Sequence, residues 1–163
     1  MEFDMARRRV PISESEVNNL ELQLDCQLPS EYKDFLSCHN GGLPARNVFA
    51  IGSDTDYWVD WLCWVDNNLA KPSEFADHES LAFTLFKYAG LVPDDTLAIG
   101  RCCRDDLLLL RIAGNEKGQI EYKEIAGLLG ASRVKKEAMR NEGITVLAPD
   151  FAEFFDSLML PRL

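Results

Sequence analysis

Cys38 and His39 bring together a thiol and an imidazole, the two groups that a cysteine nucleophile and its general base require. Neighbouring residues of a helix point about 100° apart, whereas a base must lie within hydrogen-bond reach of its nucleophile. We therefore expect a buried Cys38 and a His39 near the carbonyls that end a helix. The sequence predicts no catalytic residue at this pair, and an enzyme built on it remains a minor alternative.

Metal ligands and phosphate-binding loops are equally sparse. The two histidines are His39 and His78, the one close cysteine pair is Cys102-Cys103, and the sequence contains neither C-x-x-C nor H-E-x-x-H. The glycines of Asn40-Gly41-Gly42 precede Leu43-Pro44 and not a helix start, which is typical of a turn and not of a phosphate cradle. We expect no metal and no cofactor.

Two pairs of adjacent carboxylates, Asp94-Asp95 and Asp105-Asp106, could in principle share acid–base work. Adjacent acids in turn-like sequence usually form a solvated face, and we interpret both pairs in this way. The five cysteines are an odd number, and the arginines at 7–9 are not followed by an apolar stretch that would make a secretion signal. The sequence therefore predicts a cytoplasmic protein with free, mostly buried thiols.

A short aromatic and acidic segment is the most unusual feature of the chain. Apolar anchors ringed by charge are typical of a binding hot spot, although one face of such a segment must pack inward, and Trp61 is the better candidate for the core. The candidate partner-binding residues are Asp54, Asp56, Trp58, Asp60, Trp64 and Asp66.

The net charge of −10 is unevenly distributed along the 163 residues. Residues 10–100 carry fifteen acidic and four basic side chains, whereas residues 101–163 carry ten of each. A negative field repels phosphate backbones, which disfavours nucleic acid as a partner and favours a basic protein. The alternative is that the charge serves solubility alone.

These candidates must be positioned by elements that the periodicity predicts. Residues 13–25 open with Ser13 and Glu16 in capping-box register and form an amphipathic helix. Ser30 can cap a second helix, which ends before Asn40-Gly41-Gly42. Residues 47–52 are typical of a strand, and the stripe in residues 54–69, whose aromatic content would also suit a strand, favours a helix.

The second half of the chain contains both predicted helices and predicted strands. The spacing predicts a helix within residues 72–89, a solvent-facing helix or insertion over residues 131–141 and a closing helix that begins at Asp150 and Glu153. The predicted strands are residues 97–99, 107–112, 119–125 and 144–147. The run at 107–110 suggests a central strand covered on both faces.

Helices near both ends and grouped strands between them favour an α+β fold with a single domain. A chain of this length can bury about two-thirds of its extended surface, enough for one core. We expect an N-terminal tail over residues 1–12 and a domain over residues 13–163. Its N-terminal helix pair and C-terminal closing helix would pack on a mixed, largely antiparallel sheet.

The segments L-P-S-E-Y-K-D-F-L (28–36) and N-G-G-L-P (40–44) resemble the opening of the SUKH superfamily, the domain shared with the yeast Smi/Knr-type regulator of cell-wall synthesis. V-P-D-D-T-L-A-I-G (92–100) is similar to the family's entry into its central sheet, and the segment from Asp150 resembles its closing helix. The likeness covers most of residues 13–160. It implies an α+β domain without catalytic residues.

In bacteria such proteins are thought to act as immunity proteins that neutralise toxins of interbacterial competition, many of them nucleases. The resemblance implies a non-catalytic immunity protein. The cysteine usage favours a cytoplasmic location, and the charge distribution favours an acidic surface that binds a cognate, basic toxin. A regulatory scaffold or adaptor, as in the fungal relatives, is the alternative. The sequence favours neither nucleic acid nor a membrane as a partner and leaves the oligomeric state open.

Overall fold

A computed structural model describes residues 3–65, 77–125 and 127–161 of the chain. The helices are α1 (Glu14–Leu24), α2 (Ser30–Cys38), α3 (Leu81–Lys87), α4 (Arg133–Ala138) and α5 (Phe151–Ser157). The strands are β1 (Met5–Arg8), β2 (Gly42–Pro44), β3 (Val48–Ile51), β4 (Asp54–Leu62), β5 (Thr96–Cys102), β6 (Leu107–Arg111), β7 (Ile120–Lys123) and β8 (Ile144–Ala148). None of the helices in this part of the chain is long and apolar enough to cross a membrane.

The strands form one sheet in the order β1-β2-β4-β5-β6-β7-β8, and β3 pairs with β4 beside this path. All pairs of named strands are antiparallel. The long strand β4 pairs with β3 through its first half and with β2 and β5 through its second half. The α+β single-domain fold predicted from the sequence is confirmed.

The helix predicted over residues 54–69 is wrong, because Asp54–Leu62 is strand β4. Along its first half, exposed residues at even positions alternate with more buried residues at odd positions, the period of a half-buried strand. Pairing with β3 and β5 satisfies the backbone of this segment, and such tertiary pairing overrides a local helical stripe. Residues 66–69 lie outside the described residues.

Strand β6 is covered on both faces, as its four consecutive leucines predict. Leu108 and Leu110 belong to the main core, which also contains side chains of α1, α2 and α5. Leu107 and Leu109 belong to a smaller cluster with Tyr88 on the other face. All four leucines are fully buried. The central sheet therefore separates two hydrophobic layers.

Local side-chain chemistry defines several element ends. Ser13 and Glu16 form the predicted capping box at α1, and the Asp150 side chain accepts a hydrogen bond from the Glu153 amide at the start of α5. The predicted cap at Ser30 is wrong, since Ser30 is the first helical residue and the capping position is Pro29, which makes no side-chain cap. The proline fixes φ just outside the helix and supplies no side-chain acceptor.

The turn after α2 has the predicted left-handed backbone. Asn40, Gly41 and Gly42 have φ values of 46°, 83° and 114°. A Cβ built on Gly42 would lie 2.1 Å from the carbonyl oxygen of Arg7, because β1 packs directly against this turn. Glycine at 42 therefore allows β1 and β2 to approach.

The remaining predictions differ from the structure mainly at their ends. Within the predicted helix over 72–89, α3 spans Leu81–Lys87 after a cap at Ser80, and residues 72–76 lie outside the described residues. Helix α4 has no buried residue, in agreement with a solvent-facing helix. Residues 3–12, which the sequence assigned to a tail, contribute β1 and the core side chains of Phe3 and Ile12.

Candidate functional site

Strand β4 presents four of the six candidate residues together. Asp54, Asp56 and Trp58 are the exposed residues at alternate positions of the strand, and Asp60 is joined to Trp58 by a side-chain hydrogen bond. Between them, Tyr57 and Val59 pack on the main core from the opposite face. We call Asp54, Asp56, Trp58 and Asp60 the acidic strand surface.

Hydrogen bonds within the acidic strand surface fix its geometry. The indole Nε1 of Trp58 donates to Oδ1 of Asp60 at 2.9 Å, and the backbone N–H of Asp56 donates to Oδ1 of Asp54 at the same distance. Trp58 remains 42% exposed. The first bond holds a large apolar ring beside a carboxylate at the surface.

The carboxylates of this surface have no ion-pair partner among the side chains that the structure describes. None of the ion pairs between these side chains involves Asp54, Asp56 or Asp60. Many basic side chains pair elsewhere, as Arg111 does with Glu121 at 2.7 Å. None of the described cations therefore offsets the negative charge of this surface by direct pairing.

An open groove of about 560 Å³ borders the acidic strand surface. Its lining combines polar and apolar side chains from β3, β4 and the end of the chain: Asn47, Val48, Thr55, Asp56, Tyr57, Trp58 and Pro161. The contributions of Asn47 and Pro161 could not be found from the sequence, since pairing of β3 with β4 and of Val48 with Met159 brings them to Trp58. The groove thus places apolar side chains beside Asp56, a carboxylate that pairs with no described cation.

Trp64 lies apart from this surface. It follows β4, and the Arg9 guanidinium lies over its ring at 5.2 Å from the centroid. Arg9 in turn pairs with Glu79 at 3.0 Å. The structure thus places Trp64 beside the N-terminal segment. The sixth candidate, Asp66, lies outside the described residues.

Trp61, the tryptophan expected in the core, is partly buried and packs against the main core cluster. The Arg101 guanidinium of β5 lies 4.9 Å from its ring centroid. A register shift between Val59 and Trp61 breaks the strict alternation of β4 at this point. Trp61 therefore makes a cation–π contact with Arg101 of the same chain.

The buried thiols of the core are protonated and therefore weak nucleophiles. Burial raises the pKa of Cys63 to about 12 and holds the pKa of Cys102 well above its ordinary value. Cys38 is exposed, so the prediction that it is buried is wrong; helix α2 turns it away from the core that holds Phe35 and Leu36.

In the described part of the chain, no group of three or more histidine, cysteine or acidic side chains is placed to hold a metal ion.

The paired carboxylates take different positions within each pair. Asp94 is exposed and bonds to Arg140 at 2.7 Å, and Asp95 pairs with Arg111. Asp106 is 2% exposed, which corrects its assignment to a solvated face: it accepts hydrogen bonds from the Tyr122 hydroxyl and the Ile125 amide. A buried carboxylate with two donors fixes the chain after β7.

The chain matches a known protein family. The model of the SMI1 / KNR4 family (SUKH-1) matches residues 11–157, nearly the whole chain. A comparison with curated proteins finds no matching relative.

Proposed function

Because the chain belongs to the SMI1 / KNR4 (SUKH-1) family, we propose that it is a non-catalytic immunity protein that binds and neutralises a toxin of an interbacterial competition system. The family supports an immunity-type or Smi1/Knr4-like role. We further propose that the toxin is a basic protein that cuts nucleic acid and that it binds to the acidic strand surface.

The observation that carries the proposal is the unpaired charge around an exposed aromatic ring. Asp54, Asp56 and Asp60 have no cation partner in the described residues, and Trp58 stands among them beside the groove. A central aromatic anchor with charges around it is the common composition of a protein-binding hot spot. Trp58 would supply buried apolar area, and the carboxylates would pair with lysine or arginine of the partner.

The charge of the whole chain supports the same partner. A net charge of −10 attracts a basic protein over distances of about a Debye length and speeds its association. A nuclease binds phosphates in a basic groove, and an acidic protein seated in that groove excludes the substrate. Neutralisation by occupancy requires no reaction at the immunity protein.

Co-expression with a toxic domain encoded beside the gene tests the proposal. The wild-type chain is expected to restore growth, and a variant with Asp56→Asn, Asp60→Asn and Trp58→Ala is expected to lose protection. The control changes the exposed residues Asp34→Asn and Asp156→Asn, which removes the same charge from α2 and α5. It should protect as the wild type does.

Two results would contradict the proposal. Full protection by the triple variant would show that the acidic strand surface does not hold the toxin. Failure of the wild-type chain to protect, together with binding to the cell's own cytosolic regulators, would favour the adaptor role known from fungal relatives. Purified proteins give a second measurement, because the association rate should fall steeply as salt is raised.

A further inference from the structure

A second surface of the molecule has the opposite charge. A cavity of about 430 Å³ lies between α4 and the residues that follow α3. It is lined by Ala89, Gly90, Ala131, Arg133, Lys136, Glu137 and Arg140. Three of these side chains are cationic, in a chain whose net charge is −10. We call this the α4 cavity.

The space in the α4 cavity exists because small residues line one side. Ala89, Gly90 and Ala131 carry no side chain beyond a methyl group, and a Cβ built on Gly90 meets no atom within 4 Å. The volume falls in the range of small-molecule sites, roughly 300–1,000 Å³. The cavity is therefore large enough for a ligand of several atoms.

Carboxylates of the chain pair with two of the three cations that line the α4 cavity. Glu137 bonds to Nε of Arg133 at 2.9 Å, and Asp94 bonds to Nη1 of Arg140 at 2.7 Å and 2.8 Å. Lys136 forms no ion pair within the described residues. The Nε of Arg140 is buried and lacks a hydrogen-bond acceptor. A buried donor without an acceptor is costly, so the guanidinium of Arg140 is not fully satisfied by the chain's own acceptors.

We propose that the α4 cavity binds a small phosphate-bearing anion through Lys136 and Arg140, with Arg133 at its exposed rim. Glu137 pairs with Arg133 and Asp94 pairs with Arg140, so the three cations of the lining leave one positive charge unpaired among the described residues, that of Lys136. The planar guanidinium presents several N–H donors to phosphate oxygens. This site is independent of the proposed toxin-binding surface.

Isothermal titration of the full chain with inorganic phosphate, pyrophosphate, ATP and adenosine tests the site. Saturable binding of the phosphate compounds at one site, without binding of adenosine, is expected. Tighter binding of pyrophosphate than of ATP would identify the free anion as the ligand. The reverse would identify a nucleotide. The combined Lys136→Gln and Arg140→Gln variant should weaken binding by about tenfold or more.

Two further variants distinguish binding in the α4 cavity from nonspecific attraction of anions to the chain's basic side chains. Arg46→Gln with Lys117→Gln removes the same charge from exposed positions elsewhere and should leave binding unchanged. Ala89→Leu fills the α4 cavity without a change of charge and should weaken binding. Absence of binding to all phosphate probes at millimolar concentration, equal weakening by the Arg46 and Lys117 variant, or equally tight binding of citrate would overturn the proposal.

Discussion

The indole N–H of Trp58 and the carboxylate of Asp60, two residues apart on β4, are joined by a 2.9 Å hydrogen bond. In a strand, such residues point to the same face, whereas in a helix they would point about 200° apart. The bond therefore exists only because the segment is extended. It gives the exposed ring a fixed orientation beside a negative charge.

Trp58→Ala should change the free energy of unfolding little, by about 0.5–1 kcal/mol, because the ring is 42% exposed and its hydrogen bond lies at the surface. Phe49→Ala on the paired strand β3 is the contrasting variant. Phe49 is 3% exposed and packs against Tyr57, so its loss should cost about 3–5 kcal/mol. Urea unfolding measures both. Similar losses would show that Trp58 is a structural residue.

Gly42→Ala should destabilise the protein by roughly 2–5 kcal/mol. The residue has φ of 114°, and a Cβ there would collide with the backbone of Arg7 at 2.1 Å. Gly52→Ala is the matched control, because Gly52 also has a positive φ, 61°, but its Cβ would meet nothing within 4 Å. Its expected cost is about 1 kcal/mol. Equal melting temperatures of the two variants would refute the close approach of β1.

The sequence predicted the elements whose signals are local. The capping side chains of α1 and α5 lie within three residues of the amides they bond, and the four leucines of β6 indicate a strand buried on both faces. Strand β4 was missed because Trp58, Trp61 and Leu62 fit both a helical stripe and a strand with one register shift. Pairing with β3 and β5 decided between them. The groove beside Trp58 depends on Pro161, which no local pattern connects to β4.

Iodoacetamide should modify Cys38 of the native protein much faster than Cys63 or Cys102. Cys38 is exposed, whereas burial removes access to the other two thiols and raises their pKa values, which lowers the thiolate fraction. Peptide mass spectrometry after timed quenching measures each site. Cys38→Ser should abolish the fast modification, and urea should make all the thiols reactive.

The alkylated protein also tests the enzyme alternative. If Cys38 and His39 carried out a reaction, modification of Cys38 would abolish function. A purified chain alkylated at Cys38 is expected to bind the toxin with unchanged affinity, since the acidic strand surface contains neither residue. Loss of binding would contradict the placement of the site on β4.

Stability should fall as the pH is lowered through the ordinary pKa of histidine, and His39 should account for part of this loss. Burial, followed by the positive charge of Arg8, lowers the pKa of His39 in the folded protein. The unfolded chain then binds more protons than the folded one between the lowered pKa and about 6.5, so acid favours unfolding. Urea unfolding at about pH 5 and about pH 7.5 should show a smaller difference for His39→Gln than for the wild type. Arg8→Gln, which removes the charge but keeps the imidazole, should reduce the difference only in part. An unchanged difference in His39→Gln would assign the acid sensitivity to other groups.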